Sequence, residues 1–185
     1  MSLRAFVALE ISNPALDSLV GFEEELRATG ADIKLVERQN LHFTVKFLSE
    51  ISESQAAEVG SRLGNLRLKG VEVEVRGAGA FPNPSKARVV WAGVSRDHES
   101  LVAPVAQQVI DSLEGIGERE ERPFRAHITL GRVRSGRNFR QLEQFLLDNS
   151  DRPFGVVRLS HLKLKSSVLS PGGPIYSDLG DYPLV

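Results

Sequence analysis

The chain has 185 residues with 23 Lys or Arg against 24 Asp or Glu, which leaves a formal net charge of −1 at pH 7. This balance excludes a protein that coats nucleic acid with its whole surface, because such binding needs a large positive excess. Without cysteine, the chain has no disulfide, no thiolate nucleophile and no cysteine-ligated metal site. It also has no long apolar segment, so we expect a cytoplasmic protein that forms one domain over residues 1–185.

The first predicted elements are a strand and a helix. An apolar run at 4–10 predicts the strand. Asn13 suits the position before a helix and Pro14 its first position, and Gly30 can end that helix in a left-handed conformation. Further strands are predicted where apolar residues alternate or run together, at 33–36, 41–47, 71–75, 87–94, 126–130, 156–164 and 175–177.

Three further helices are predicted between these strands. Ser52 and Gln55 form a capping-box pattern at the start of the second helix. Asp97 is expected to cap the third helix, and Asn138 to begin the fourth. The apolar face of the third helix is predicted to comprise Leu101, Val105, Val109 and Leu113. Strands interleaved with four helices predict an α+β or α/β domain, and the recurrence of the pattern predicts two similar lobes.

Two short motifs carry the candidate chemistry. His42-Phe43-Thr44 and His127-Ile128-Thr129 each lie on a predicted strand. Because alternate residues of a strand share a face, each His is expected beside its Thr on one surface. The opposite surface is expected to carry the apolar residues Phe43, Val45, Phe47, Ile128 and Leu130. If the two strands face each other, two imidazoles and two hydroxyls converge on one cleft.

Paired imidazoles suit phosphoryl transfer. With ordinary pKa values of about 6.5, one can take a proton from water while the other protonates the departing oxygen. Threonine hydroxyls can bind the non-bridging phosphate oxygens. A single His-x-Thr on a strand is more often structural, so the prediction depends on the two copies. The motifs lack zinc-type spacing, and no P-loop or Gly-x-Ser-x-Gly occurs, although spacing alone does not exclude a Ser-His-Asp hydrolase.

The other two histidines are expected to be structural. His98 follows Asp97 at a predicted helix start, which is typical of a solvated residue in the first turn. His161 alternates with Lys163 and Lys165 on one strand face, which is typical of a row facing solvent.

Local charge near the second motif favours an anionic substrate. Between residues 122 and 140 there is no acidic residue but there are six arginines, namely Arg122, Arg125, Arg132, Arg134, Arg137 and Arg140. Arg132, three residues after Thr129, is the candidate for binding phosphate oxygens. Lys46, two residues after Thr44, is expected on the His42 face as a second substrate-binding cation. Phe81, in a proline-containing loop, can stack on a base or simply plug a lobe.

Together these motifs resemble the two-histidine (2H) phosphoesterases, and within them the RNA 2′,3′-cyclic phosphodiesterases, also called 2′-5′ RNA ligases or LigT-like proteins. The resemblance covers nearly the whole chain, and the order and spacing of its short motifs are specific. They are Arg4-Ala5-Phe6-Val7-Ala8 and the segments 40–48, 77–82, 88–91, 126–132, 167–169 and 173–176. Phe43 and Val45 replace the usual leucines of the first motif, which are apolar exchanges that leave the chemistry intact.

The resemblance implies an α+β bilobal fold in which two pseudo-symmetric strand and helix lobes place antiparallel sheets around a central cleft. It implies hydrolysis of a terminal 2′,3′-cyclic phosphate on RNA to a 2′-phosphate, without a metal or a cofactor. In this scheme His42 would protonate the leaving 3′ oxygen and His127 would activate water. Thr44 and Thr129 would hold the phosphate.

The implied partner is RNA with a 2′,3′-cyclic phosphate end, tRNA fragments included, bound by a monomer that does not engage membranes. Weak 2′-5′ ligation, the reverse reaction, is a secondary expectation. Two alternatives stay open: a non-catalytic module that binds RNA ends or nucleotides, and a phosphodiesterase acting on small cyclic nucleotides.

Overall fold

The structure of the protein is a computed structural model, which describes residues 2–185. Four α-helices lie within that range, at α1 (Ala15–Ala28), α2 (Glu53–Asn65), α3 (Arg96–Ser112) and α4 (Phe139–Asp148). The strands of the same range are β1 (Ser2–Glu10), β2 (Ile33–Leu35), β3 (His42–Ser52), β4 (Val71–Phe81), β5 (Val89–Val94), β6 (His127–Val133), β7 (Pro153–Leu159), β8 (His161–Ser170) and β9 (Gly173–Pro183).

The strands form one antiparallel sheet with the order β7-β4-β5-β6-β3-β1-β8-β9, and β2 pairs with β6. At the centre of this order β3 and β6 are joined by a single residue pair, Phe43 with Ile128. The sheet therefore consists of two halves of four strands each, with β2 added beside β6, and the halves meet along one short seam. This arrangement confirms the predicted α+β class and the two lobes with antiparallel sheets.

Each half of the sheet is covered by helices. α1 packs on β7 and α4 on β4, while α2 packs on β3 and β1. α3 contacts both β4 and β3, so it bridges the two halves behind the seam. Under α1, the ring of Phe22 lies 5.2 Å from that of Phe145 and 5.1 Å from that of Phe154, which fixes α1 against α4 and β7. None of the helices between residues 2 and 185 is both long and apolar enough to span a membrane.

The ends of the first two helices agree in part with the predictions. The capping box of Ser52 and Gln55 is confirmed, with the Gln55 N–H donating to Ser52 Oγ at 3.1 Å. Gly30 has φ +71° just after α1, as its predicted role requires. The prediction for Asn13 was wrong, because its side-chain oxygen accepts a hydrogen bond from Arg38 instead of capping α1.

The third helix corrects two further predictions. Ser95 holds the position before α3, and Asp97 lies inside the first turn. Leu101 is 44% exposed, whereas its neighbour Val102 is fully buried. The buried face therefore runs through Val102, Val105, Ala106, Val109 and Leu113, shifted by one residue at its start.

The strand predicted at 156–164 is in fact two strands that belong to opposite halves of the sheet. β7 pairs with β4, and after Ser160 the chain continues as β8, which pairs with β1 and β9. Leu159 and Leu162 are both fully buried on either side of this crossing. Two consecutive polar residues, Ser160 and His161, shift the apolar alternation by one position, and this break lies where the pairing partner changes.

Candidate active site

The seam between β3 and β6 brings the two His-x-Thr motifs together. Phe43 and Ile128 pair across it, and both side chains are fully buried on the helix side. In an antiparallel pair, this register continues so that His42 is opposite Thr129 and Thr44 is opposite His127. Because neighbouring residues of a strand face opposite ways, all four side chains project from the other face of the sheet.

The two candidate catalytic histidines are oriented by the same kind of local contact. Nδ1 of His42 lies 2.7 Å from the carbonyl oxygen of Asn40, and Nδ1 of His127 lies 2.8 Å from that of Arg125. In both cases the carbonyl belongs to the residue two positions earlier. A carbonyl oxygen only accepts hydrogen bonds, so Nδ1 carries the proton and Nε2 is free to exchange one.

Aromatic packing further fixes the His42 ring. The Phe6 ring stacks on it at a centroid distance of 5.0 Å and an interplanar angle of 25°. Tyr176, from β9, meets it edge-on at 5.8 Å, and Oγ1 of Thr44 lies 2.8 Å from its Nε2. The imidazole is therefore held on three sides.

Both imidazoles are neutral in the free protein at pH 7. Burial lowers the pKa of His42 to about 4, and the Asn40 carbonyl opposes this while the charges of Lys165 and His127 add to it. Burial also lowers the pKa of His127, with the Arg125 carbonyl opposing and the Arg125 charge adding to the shift. An anionic phosphate between the rings would raise both pKa values, because it favours the charged imidazolium.

A β-bulge in β3 corrects the expectation for Lys46 and Phe47. Val7 pairs with Lys46 and Ala8 with Thr44, so Val45 has no partner on β1. Because Val45 is an extra residue, the side chains that follow it face the opposite way from those of a regular strand. Lys46 is buried, with 4% exposed, and its Nζ donates to the Glu118 carbonyl at 2.7 Å, away from the His42 face.

Phe47 consequently lies where Lys46 was expected. It is 56% exposed and lines the cleft beside His42 and Thr44, whereas the alternation placed it on the buried face. No signal in the sequence marks the bulge, since it depends on the pairing of β3 with β1.

The same irregularity occurs in β6. Val90 pairs with Gly131 and Trp91 with Thr129, so Leu130 is the unpaired residue. Arg132 is thereby turned to the face of Thr129, exposed and lining the cleft. In both strands the bulge directly follows the Thr of the motif. The structural counterpart of Arg132 is therefore Phe47 rather than Lys46.

Two cavities flank the paired motifs. On the His42 side, a cavity of about 390 Å³ is lined by Phe6, Phe47, Tyr176, Thr129 and Arg132, and by Lys34 of β2. Sequence reasoning did not single out Lys34 or Phe47 as site residues, and Tyr176 appeared only within the 173–176 motif. The tip of the β8–β9 hairpin, around Gly173, closes one side of this cavity.

On the His127 side, a groove of about 910 Å³ is lined mostly by polar residues, Arg125, Ser95 and Ser150 among them. Phe81 is the last residue of β4, not part of a loop, and it also lines this groove. Its ring meets His127 edge-on at 5.0 Å and lies 5.4 Å from Trp91.

Comparison with known proteins agrees with this geometry. The family model for LigT-like phosphoesterases matches the chain twice, over residues 9–91 and 94–176. This chain belongs to the LigT-like phosphoesterases. The two matches correspond to the two halves of the chain, each of which contributes one His-x-Thr strand.

Several relatives of this LigT-like phosphoesterase have been curated. It is 37% identical over 163 residues to the RNA 2′,3′-cyclic phosphodiesterase of Aeropyrum pernix, covering 87% of this chain and 92% of that protein. It is 34% identical over 177 residues to that of Archaeoglobus fulgidus, covering 96% and 98%. The crystal structure of a Thermus thermophilus protein has 26% identity and a TM-score of 0.77, with 98% of each chain covered. The structure of E. coli LigT with 3′-AMP, at 23% identity, has the same fold, with a TM-score of 0.75 and coverage of 100% and 99%.

The arginines of 122–140 do not act as one patch in this LigT-like phosphoesterase. Arg134 pairs with Asp32, and Arg137 donates to the Gly30 carbonyl. Arg132 and Arg125 line the two cavities on either side of the histidines. Of the six arginines, Arg125 and Arg132 therefore bring positive charge to the cleft.

The remaining histidines are tied into the scaffold. Nδ1 of His98 accepts a hydrogen bond from the Glu74 N–H at 3.0 Å, so His98 fastens the start of α3 to β4 rather than being merely solvated. His161 and the lysines that alternate with it pair with Asp178 and Asp181 of β9. Within residues 2–185, no group of three or more His, Cys, Asp or Glu side chains is arranged to hold a metal ion.

Proposed function

We propose that this LigT-like phosphoesterase hydrolyses the terminal 2′,3′-cyclic phosphodiester of RNA to a 2′-phosphomonoester by acid–base catalysis with two histidines. The observation that carries the proposal is the single cross-strand pair of Phe43 and Ile128, since its register sets both His-x-Thr motifs on one open face. The names of the curated relatives from Aeropyrum pernix and Archaeoglobus fulgidus support the same substrate.

The different character of the two cavities supports distinct roles for the histidines. The cavity on the His42 side has aromatic walls, which suit a nucleoside. The groove on the His127 side is larger and mostly polar, which suits water. A nucleoside on the His42 side directs its 3′ oxygen towards His42, and water then approaches the phosphorus from the side of His127.

The reaction follows from these positions. Nε2 of neutral His127 accepts a proton from water while the water oxygen forms a bond to phosphorus. The bond from phosphorus to O3′ breaks, and Nε2–H of the His42 imidazolium gives its proton to O3′. The products are a free 3′-hydroxyl and a 2′-phosphate, and exchange with solvent restores the two histidines. Thr44 and Thr129 stabilise the non-bridging oxygens, where negative charge accumulates.

The test is turnover of an oligonucleotide with a 2′,3′-cyclic phosphate end in the presence of EDTA. We expect a 2′-phosphate product, and loss of activity by about 10²–10⁴-fold in His42→Asn and in His127→Asn. His161→Asn is the matched control, because His161 lies outside the cleft and pairs with Asp181. Full activity in His127→Asn would exclude this mechanism, and a 3′-phosphate product would overturn the role of His42.

The same assay separates the alternatives. Tight, salt-sensitive binding of the RNA end with no turnover would identify a non-catalytic binding module. A matched acid and base argues against this, because binding alone requires neither. Ligation to form a 2′-5′ linkage is the reverse reaction with a 5′-hydroxyl in place of water, and we expect it to be slow because water competes.

A further inference from the structure

Two unpaired cations lie side by side on the wall of the cavity next to His42. Lys34 of β2 is the direct cross-strand partner of Arg132 of β6, and both side chains are exposed and line this cavity. Over residues 2–185, neither side chain forms an ion pair or a hydrogen bond with another group of the protein. The nearby Arg134 differs, because it pairs with Asp32.

The position of Lys34 differs from that of the phosphate site between the threonines. Lys34 is opposite Arg132, three residues along β6 from Thr129, which at a strand rise of about 3.3 Å per residue is up to roughly 10 Å away. It therefore lies beyond the scissile phosphate, towards the far end of the cavity that the proposed function gives to the nucleoside.

The Lys34 side chain lies next to the hairpin tip at this end. A Cβ atom added to Gly173 would lie 3.5 Å from Nζ of Lys34, so the ammonium group rests directly against the β8–β9 turn. Among the described residues that line the cavity, Glu37 is the one acid, and its carboxylate accepts a hydrogen bond from the Gln39 amide. The ammonium of Lys34 thus lies at the cavity rim with no protein anion bound to it.

We propose that Lys34 is a specificity-determining residue that binds the phosphate on the 5′ side of the terminal nucleotide. This inference rests on the proposed function, and it explains how one site can favour an RNA end over a small cyclic nucleotide. A nucleoside 2′,3′-cyclic phosphate with a 5′-hydroxyl has only the scissile phosphate. A 5′-phosphorylated nucleotide or an oligonucleotide places a second anion at the far end of the cavity, where Lys34 lies.

The test compares 5′-hydroxyl and 5′-phosphoryl forms of one nucleoside 2′,3′-cyclic phosphate, together with a cyclic-ended dinucleotide. For the unmodified protein we expect kcat/KM to be about tenfold higher for the substrates with the second phosphate, the effect of one hydrogen bond to a charged group. Lys34→Gln should reduce this ratio to near one, and Lys34→Arg should restore most of it. The slope of log kcat/KM against log salt for the dinucleotide should become shallower by about 0.7 in Lys34→Gln.

The matched control is Lys69→Gln, which removes the same charge from an exposed position between α2 and β4. It should leave the ratio unchanged. An unchanged ratio in Lys34→Gln, or an equal loss on all three substrates, would overturn the assignment of Lys34. Failure of the proposed function would look different, since the unmodified protein would then turn over none of the substrates.

Discussion

Oγ1 of Thr44 lies 2.8 Å from Nε2 of His42. Because Nδ1 of this ring keeps its proton for the Asn40 carbonyl, Nε2 of the neutral imidazole is an acceptor and the Thr44 hydroxyl is the donor. When His42 becomes an imidazolium, its Nε2–H donates instead, and the hydroxyl is free to donate to a phosphate oxygen. In the proposed mechanism, one hydroxyl thus binds the resting ring and the phosphate in turn.

Replacing this hydroxyl should lower the rate far more than it lowers stability. We expect Thr44→Val to lower kcat on a cyclic-ended oligonucleotide by about 10²–10³-fold, the cost of removing one donor to a developing anion. Thr44→Ser keeps the hydroxyl and should retain most of the activity. Steady-state kinetics of the two variants check this, and equal activity in Val and Ser variants would contradict it.

The lowered histidine pKa values predict different pH profiles for kcat/KM and kcat. The proposed mechanism requires a protonated His42 and a neutral His127, yet in the free protein the His42 pKa is about 4 and that of His127 is also lowered. Because both pKa values lie below the ordinary value of about 6.5, kcat/KM, which reports the free protein, should already be falling with rising pH at neutral pH. kcat reports the complex, in which the phosphate raises both pKa values, so its optimum should lie at higher pH.

Both profiles come from one set of initial rates measured over a pH range at several substrate concentrations. Identical optima for kcat and kcat/KM would contradict the idea that the bound phosphate sets the protonation state. A change of buffer at constant pH is the control for ionic effects.

Local sequence patterns predicted the parts of the site that depend on neighbouring residues. The alternation of His42, Phe43 and Thr44 follows from the strand repeat, and the capping box at Ser52 needs three residues of context. The motifs also identified the two strands that carry the proposed chemistry. Their meeting at one seam depends on the recurrence of the whole strand and helix pattern.

What the sequence did not reveal depends on pairing between distant segments. The bulge at Val45 is defined by the pairing of β3 with β1, and the bulge at Leu130 by the pairing of β6 with β5. These bulges turn Lys46 inward and turn Phe47 and Arg132 towards the cleft. The crossing at Ser160 differs, because the consecutive polar residues Ser160 and His161 interrupt the apolar alternation there, although the partners of β7 and β8 depend on distant segments.

The bulge in β3 predicts opposite phenotypes for adjacent residues. Phe47→Ala should change the free energy of unfolding by no more than about 0.5 kcal/mol, since the side chain is 56% exposed. It should raise KM about tenfold, because it removes an aromatic surface for the base. Lys46→Met should leave kcat/KM close to that of the unmodified protein and instead cost on the order of 1 kcal/mol of stability, since the Glu118 carbonyl loses its donor.

Urea unfolding and steady-state kinetics on both variants check this pair. A large loss of kcat/KM in Lys46→Met, with stability unchanged, would show that Lys46 does bind the substrate. A loss of stability without a change in KM in Phe47→Ala would exclude Phe47 from the nucleoside cavity.

A buried carboxyl group far from the seam predicts how stability depends on pH. Glu23 of α1 is 5% exposed, and its Oε1 has no hydrogen-bond partner among the described residues. Burial raises its pKa from 4.5 to about 8, with the nearby Arg27 charge opposing and the Glu24 charge adding to the rise. Between these two pH values the folded protein keeps a proton that the unfolded chain releases. The free energy of unfolding should therefore fall as the pH rises through this window, by at most about 1.4 kcal/mol per pH unit.

Glu23→Gln keeps the shape of the side chain but cannot ionise, so it should remove this contribution and be more stable than the unmodified protein at pH 8. Urea unfolding at intervals between pH 5 and about pH 9 measures the difference between the two proteins, and that difference isolates Glu23 because the histidines contribute equally to both. Glu72→Gln is the matched control, since Glu72 is exposed on β4 and its charge is not among those that shift the pKa of Glu23. If the difference between Glu23→Gln and the unmodified protein does not grow with pH, Glu23 is ionised throughout the window and its burial does not control stability.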